Sequence, residues 1–358
     1  MTHTGNSMRQ AQPLNRKTVL SVIIFLLIAA AGLTYVKWMP YYHKTINAAT
    51  NHTIGSSIVS GTGQTAPDPS WQAAWDYTKA YYNSVWKAAV LGILLGSLVQ
   101  VLIPAQWLVR VLGKTSFGST LIGGAASIPG MMCSCCAAPL AVGLRKKNVS
   151  VGASLAFWLG NPTINPATLI FMTFVLSWKF TLIRVIFGLI LTFGVSYLAN
   201  RFAGDAKVPA ELAEKQAQAL PDETGSWAVR WLKSIWTLTL HIVPAYILAV
   251  LLLGFARAWL FPSVSDASAN SLLAVIGFAI AGMLFVIPTA GEIPIIQTMM
   301  SFGLGGGPAA ALLLTLPPVS LPSLLMIYRA YPRKVMLFVT GSVVAIGIMS
   351  GIVGMFVL

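Results

Sequence analysis

All three cysteines of this 358-residue chain fall within four positions, in the run Met131-Met132-Cys133-Ser134-Cys135-Cys136. Thiols and thioethers are polarizable and bind thiophilic species such as Cu(I), Zn(II) or trivalent arsenic far better than Mg or Ca. A lone cysteine packs as a small hydrophobe, and methionine fills gaps. Three thiols beside two methionines, between Pro129 and Pro139 and inside an apolar stretch, point instead to a site. There Cys133, Cys135 and Cys136 are expected to meet a soft ligand, as substrate contacts or as metal ligands. No zinc-finger separations occur, and the cluster is too compact for a disulfide framework.

A second candidate is Glu292, in Pro288-Thr289-Ala290-Gly291-Glu292-Ile293-Pro294, the only acidic residue inside any apolar segment. An intramembrane carboxyl that can gain or lose a proton suits coupling or gating. The alternative is a neutral, hydrogen-bonded Glu that joins two helices. His241, in Thr239-Leu240-His241-Ile242-Val243-Pro244, is the weaker candidate for such a proton relay, because a lone His in a span is more often a packing residue. Backbone groups supply the third kind of candidate. In Asn161-Pro162-Thr163-Ile164-Asn165-Pro166 two prolines four apart remove amide donors from a helix, freeing polar groups beside Asn161 and Asn165. Ser320, in Pro317-Pro318-Val319-Ser320-Leu321-Pro322, stands in a similar break. The helix-breaking set is Pro129, Pro162, Pro166, Pro288, Pro294, Pro318 and Pro322.

The elements that position these residues follow from composition. Hydrophobic residues make up 56% of the chain and charged residues 9%, with mean hydropathy +0.76, the balance of an all-α polytopic membrane protein. The net charge of +14 then reads as basic cytoplasmic loops and gives no argument for nucleic acid. Thr18 to Val36 is long enough to span a bilayer and is expected to be a retained first helix. Met39 to about Tyr81 is expected to be an extramembrane loop, and Tyr82 to Ile103 the next span. Phe117 to Leu144 is interrupted at Ile128-Pro129-Gly130 and again at Pro139, and ends on Arg145-Lys146-Lys147. The chain is already on the basic side at Lys114, so this segment is expected to return without crossing, as a re-entrant hairpin with the cysteines near its tip. Val149 to Leu176 is a broken helix, and Thr181 to Ala199 leads back to the basic side.

The second half repeats this order. Pro139 to Pro162 and Pro294 to Pro317 are both 23 positions apart (162 − 139 and 317 − 294), and Ser127-Ile128-Pro129 matches Val286-Ile287-Pro288. The basic residues fall at opposite places in the two halves, Arg145-Lys146-Lys147 after the first hairpin and Arg329, Arg333 and Lys334 after the second broken helix. Units with three crossings each must be inverted in tandem, a recurring transporter architecture. The expected plan is a leading helix and loop (1–81), a first membrane repeat (82–203), a cytoplasmic linker (204–228) and a second repeat (229–358). Each repeat carries a re-entrant hairpin and a Pro-broken helix. The N-terminus is expected in the cytoplasm and the C-terminus in the periplasm.

The runs Pro129-Gly130-Met131-Met132-Cys133-Ser134-Cys135, Asn161 to Pro166, Phe285 to Pro294 and Pro317 to Pro322 together resemble the YraQ-like family of predicted permeases, which also contains the organoarsenical exporter ArsP. The resemblance implies an inner-membrane permease. It departs at Cys136, where the wider family tends to carry Gly. The expected function is a secondary transporter of a thiophilic or sulfur-containing small solute, an organoarsenical-like or soft metal species, with Glu292 coupling it to protons. The substrate would be a small molecule or ion, the surroundings a lipid bilayer, and a homo-oligomer or a partner permease subunit remains compatible. No cofactor and no enzymatic activity are expected. A thiol-disulfide oxidoreductase would need a second dithiol, and ATP-driven pumping a phosphate-cradling loop, neither of which occurs. A non-transporting subunit of a membrane complex leaves the repeats unexplained.

Overall fold

In lipid every backbone polar group must find a partner within its own segment, so long apolar runs are driven to helix. The computed structural model describes residues 16–60, 65–203, 227–262 and 270–358, all helix, turn or loop with no strand among them. Most of the expected 204–228 linker lies outside the described residues. Five helical stretches are long and apolar enough to cross a membrane: 19–51, 71–102, 178–203, 231–260 and 333–357.

The first of these is α1 (Arg16–Leu33), a π-helical turn (Thr34–Trp38) and α2 (Met39–Asn51) in one continuous rod. The expectation of a loop from Met39 to Tyr81 is therefore corrected. Pro40 lies inside this rod, directly after the π-helical turn, and Tyr41 packs edge-to-face on Phe171 at 5.7 Å. The polar Asn and Thr residues that suggested a loop lie mostly on the exposed side of this helix. α3 (Trp71–Leu102) also starts earlier than expected, capped by the Ser70 hydroxyl, which accepts from the Ala73 amide at 3.1 Å.

After the short α4 (Ala105–Leu112) come α5 (Phe117–Ala125), a 3-10 turn (Ile128–Gly130) and α6 (Ser134–Lys146). The expected interruption at Pro139 does not occur: α6 runs straight past it. One lost amide is tolerated because α6 lies tightly on α3, where Gly92 faces the Cys136 carbonyl and Gly96 the Pro139 backbone. A side chain at Gly92 would collide with that carbonyl, so the close approach depends on glycine.

The expected break from Asn161 to Pro166 separates α7 (Val151–Thr163) from α8 (Pro166–Val175). A rod then follows, α9 (Trp178–Leu189) continuing through a π-helical segment (Ile190–Val195) into α10 (Ser196–Ala203). The second half runs α11 (Trp227–Leu260), α12 (Leu272–Leu284), α13 (Glu292–Ser301), α14 (Gly306–Thr315), α15 (Leu321–Ile327) and α16 (Arg333–Val357). α7 and α8, like α14 and α15, are each shorter than the roughly 20 residues needed to span hydrocarbon. α14 packs between α12 and α16, α11 lies along α3, and α15 touches α6, which closes the two halves on each other.

Candidate functional site

Cys133 is the N-terminal cap of α6, and Cys136 lies three residues on, so both project from one face of the helix. Their sulfurs are 2.8 Å apart, as free thiols. Cys135 is rotated away from that face. Its sulfur sits 3.5 Å from the Ser320 hydroxyl. The three thiols thus divide into a pair and a single, and among the described residues no three His, Cys, Asp or Glu side chains converge as a metal site would require. The sulfurs are thus arranged as a two-thiol face, Cys133 with Cys136, and a separate Cys135.

Both breaks that precede these helices carry a left-handed residue two places after the proline, Met131 (φ 47°) after Pro129 and Ala290 (φ 67°) after Pro288. Neither is glycine, and such backbone strain collects at functional sites. The other breaks are capped by the expected side chains. Asn161 donates to the Phe157 carbonyl at 2.9 Å while its own oxygen faces the Met132 amide at 3.4 Å. The Asn165 oxygen accepts from the Ala167 and Thr168 amides at the start of α8, and its buried Nδ2 has no partner. Ser320 and Ser323 form a reciprocal cap on α15. Pro166, Pro294 and Pro322 lie in the first turns of α8, α13 and α15, so they start helices more than they break them. Pro318 lies in the turn before Ser320, and Pro162 in the last turn of α7.

Glu292 opens α13 and is 1% exposed. It is not alone: Arg184, on α9 and equally buried, donates from Nη1 to Glu292 Oε1 at 2.6 Å. The remaining guanidinium donors go to backbone, Nη2 to the Pro162 carbonyl at 2.7 Å and Nε to the Thr163 carbonyl at 3.0 Å. This has a simple origin. The Pro162 carbonyl would ordinarily accept from residue 166, and Pro166 has no amide hydrogen to give. The Leu313 carbonyl, 3.5 Å from Arg184 Nη1, is likewise deprived by Pro317. Arg184 therefore satisfies carbonyls freed in both broken helices and neutralises Glu292 between them. The other Glu292 oxygen is buried without a partner, and Glu292 lines a cavity of about 10 Å³ together with Cys133, Pro162, Thr289 and Pro317, room for about one water.

The π-helical turn of the first rod reaches both hairpin-like breaks. The Trp38 indole donates to the Pro129 carbonyl at 2.9 Å, and Lys37 donates to Thr289 Oγ1 at 3.0 Å and to the Tyr41 hydroxyl at 3.0 Å. π-bulges of this kind are frequent at functional sites. Thr289 and Cys133 line the same small cavity. Above it opens a cleft of about 680 Å³, walled by Lys37, Tyr77, Arg257, Thr289 and Ala290. The segment Pro288–Ala290 thus separates a wide cleft from the small Cys133 and Glu292 cavity.

The structure brings Cys133 and Glu292 to one small cavity, with Cys136 beside Cys133, Asn161 beside Met132 and Ser320 beside Cys135. His241 lies within α11, but its side chain is outside the described residues. Sequence reasoning passed over Arg184 and Lys37. The signal for Arg184 was present, a single basic residue inside the apolar run Thr181 to Ala199, and the rule that flagged Glu292 applies to it equally. Lys37 sits at the end of its apolar run and resembles an ordinary flanking charge.

Residues 70–356 match the family model ArsP_1, described as a predicted permease. The chain is 52% identical over 326 residues to UPF0718 protein YraQ of Escherichia coli K12, covering 90% of this chain and 91% of that protein. It is 20% identical over 327 residues to UPF0718 protein MJ0584 of Methanocaldococcus jannaschii, covering 74% of this chain and 90% of that protein. No solved structure matches it.

Proposed function

Since the chain belongs to the predicted permease family ArsP_1, and is on that ground a multi-pass membrane permease and not an enzyme, we propose that it is a secondary transporter that carries a thiophilic or sulfur-containing small solute past the Cys133 and Cys136 thiols. The observation that carries this reading is the shared cavity. Cys133, Glu292, Pro162 and Pro317 come from four separate breaks and line one buried space, which is where a transporter built from discontinuous helices binds its solute.

The pair of thiols supplies soft contacts, and Cys135 with Ser320 and Asn165 continues the path on the other side of α6. Glu292 is the coupling group. Its second oxygen has no hydrogen-bond partner among the described residues, and Arg184 is held by the Pro162 and Thr163 carbonyls as well as by Glu292. His241 serves as a secondary relay. Two inverted repeats, 82–203 and 229–358, with re-entrant hairpins over α5–α6 and α12–α13, are supported by the strained residues at matching places, Met131 and Ala290. The start of α6 after Cys133 and of α13 at Glu292 supports the same alignment. The reading places the chain in the inner membrane, with a cytoplasmic N-terminus and linker and a periplasmic C-terminus.

Everted vesicles from a strain overproducing the chain test this. Uptake of a soft solute should depend on pH, and Glu292→Gln should leave uptake that no longer changes with pH. Unaltered pH dependence in Glu292→Gln removes proton coupling, and a reporter after Leu358 that proves cytoplasmic removes the inverted topology.

A further inference from the structure

We propose that the 680 Å³ cleft is an anion-binding vestibule, so that the transported solute carries a small oxyanion group, sulfonate-like or phosphate-like, as well as its soft atom. This rests on the transport reading above and adds a charge requirement to it.

Four basic side chains, Lys37, Lys44, Lys87 and Arg257, line the cleft among the described residues, against one carboxylate, Asp76. Lys37 and Lys44 lie on one stripe of the first rod, seven residues apart and on either side of Tyr41, and their like charges repel. Lys37 is 5% exposed and makes two hydrogen bonds, both to neutral hydroxyls. An ammonium has three donors, so one remains, and among the described residues no carboxylate pairs with it. Arg257 is also buried. It donates to the Ala73 carbonyl at 3.3 Å and stacks on Tyr77, and its buried Nε has no partner among the described residues. Asp76 is held by Gln72 at 3.0 and 3.1 Å, and forms no ion pair with Arg257.

Burying a cation away from a carboxylate is costly, and a cleft walled by four basic side chains against one carboxylate favours an incoming anion. Arg184 shows the contrast: its charge is answered by Glu292 and its remaining donors by carbonyls. Lys37 also bonds Thr289, which lines the small cavity with Cys133, so an oxyanion at Lys37 would sit next to the Pro288–Ala290 wall that separates it from the thiol pair.

A lipid phosphate shares this chemistry with a free solute, and we assign the cleft to the solute. The test is calorimetric titration of the full chain in nanodiscs with three probes of similar size. These are 2-mercaptoethanesulfonate (charge and thiol), 2-mercaptoethanol (thiol only) and isethionate (charge only). The charged thiol is expected to bind at least about tenfold more tightly than the neutral one, and isethionate is expected to bind measurably. Lys37→Met should abolish that advantage, Lys37→Arg should keep part of it, and Arg257→Gln, with an unchanged melting temperature, should reduce it. Equal affinities for the two thiols, or an advantage that survives Lys37→Met, would overturn the proposal. So would loss of the advantage when phosphatidylglycerol replaces zwitterionic lipid, which would assign the cleft to a headgroup. Isethionate binding that persists in Cys133→Ser/Cys136→Ser supports the vestibule, and it does so even if the charged thiol then shows no preference over isethionate in the native chain, a result that would fail the thiophilic reading alone.

Discussion

Arg184 Nη1 and Glu292 Oε1 lie 2.6 Å apart at the place where two broken helices meet, and both residues are 1% exposed. The pair answers two problems at once. It neutralises a carboxylate that hydrocarbon would not tolerate, and it supplies donors to carbonyls that Pro166 and Pro317 leave unpaired. A buried pair of this kind contributes little net stability over an apolar pair, yet removing one partner strands the other.

Glu292→Leu and Arg184→Leu should therefore each destabilise the protein by about 3–5 kcal/mol. Arg184→Leu should be the worse of the two, because it also strands the Pro162 and Thr163 carbonyls. The double variant should lose clearly less than the sum of the single losses. Thermal or denaturant unfolding in detergent measures this, and strictly additive losses would mean that the two side chains do not act as a pair.

The division of the cysteines makes a second prediction. Cys133 and Cys136 present adjoining sulfurs, whereas Cys135 faces Ser320. Cys133→Ser and Cys136→Ser should each reduce uptake of a soft solute by about tenfold or more, the loss of one good contact, and Cys135→Ser by much less. Initial uptake rates at matched protein levels decide it. Equal effects at all three positions would speak for a single three-sulfur site.

Much of this was legible in the sequence. The cysteine run, the four proline breaks and the membrane class are local features, written in residue type and in spacings of a few residues. Arg184 acquires its role through a carboxylate 108 positions away, and nothing within its own apolar run reveals that partner. The first rod escaped for a different reason. Met39 to Asn51 is polar enough to read as loop, and its helicity comes from packing against α8 through Tyr41 and Phe171, a contact that composition does not encode. The orientation of Cys135 follows from helix geometry once α6 is known to begin at Ser134, and that starting point is set by the strained turn at Met131.

Lys37 gives a prediction in which stability and function part. Replacing a buried cation that pairs with no carboxylate among the described residues by an apolar side chain of similar length removes a desolvation penalty, so Lys37→Met should melt at the same or a higher temperature than the native chain while binding anionic solutes poorly. Differential scanning fluorimetry beside the titrations measures both. A marked fall in melting temperature would show that the charge is answered within the protein, through Tyr41 and Thr289, and is not held ready for a ligand.

The central claim is that solute crosses the membrane by way of the Cys133 and Cys136 face. Counterflow of labelled 2-mercaptoethanesulfonate in proteoliposomes containing only this chain tests it most directly. Accumulation well above protein-free liposomes is expected, and none above that background for Cys133→Ser/Cys136→Ser reconstituted to the same density. Accumulation by the double variant equal to that of the native chain would contradict it.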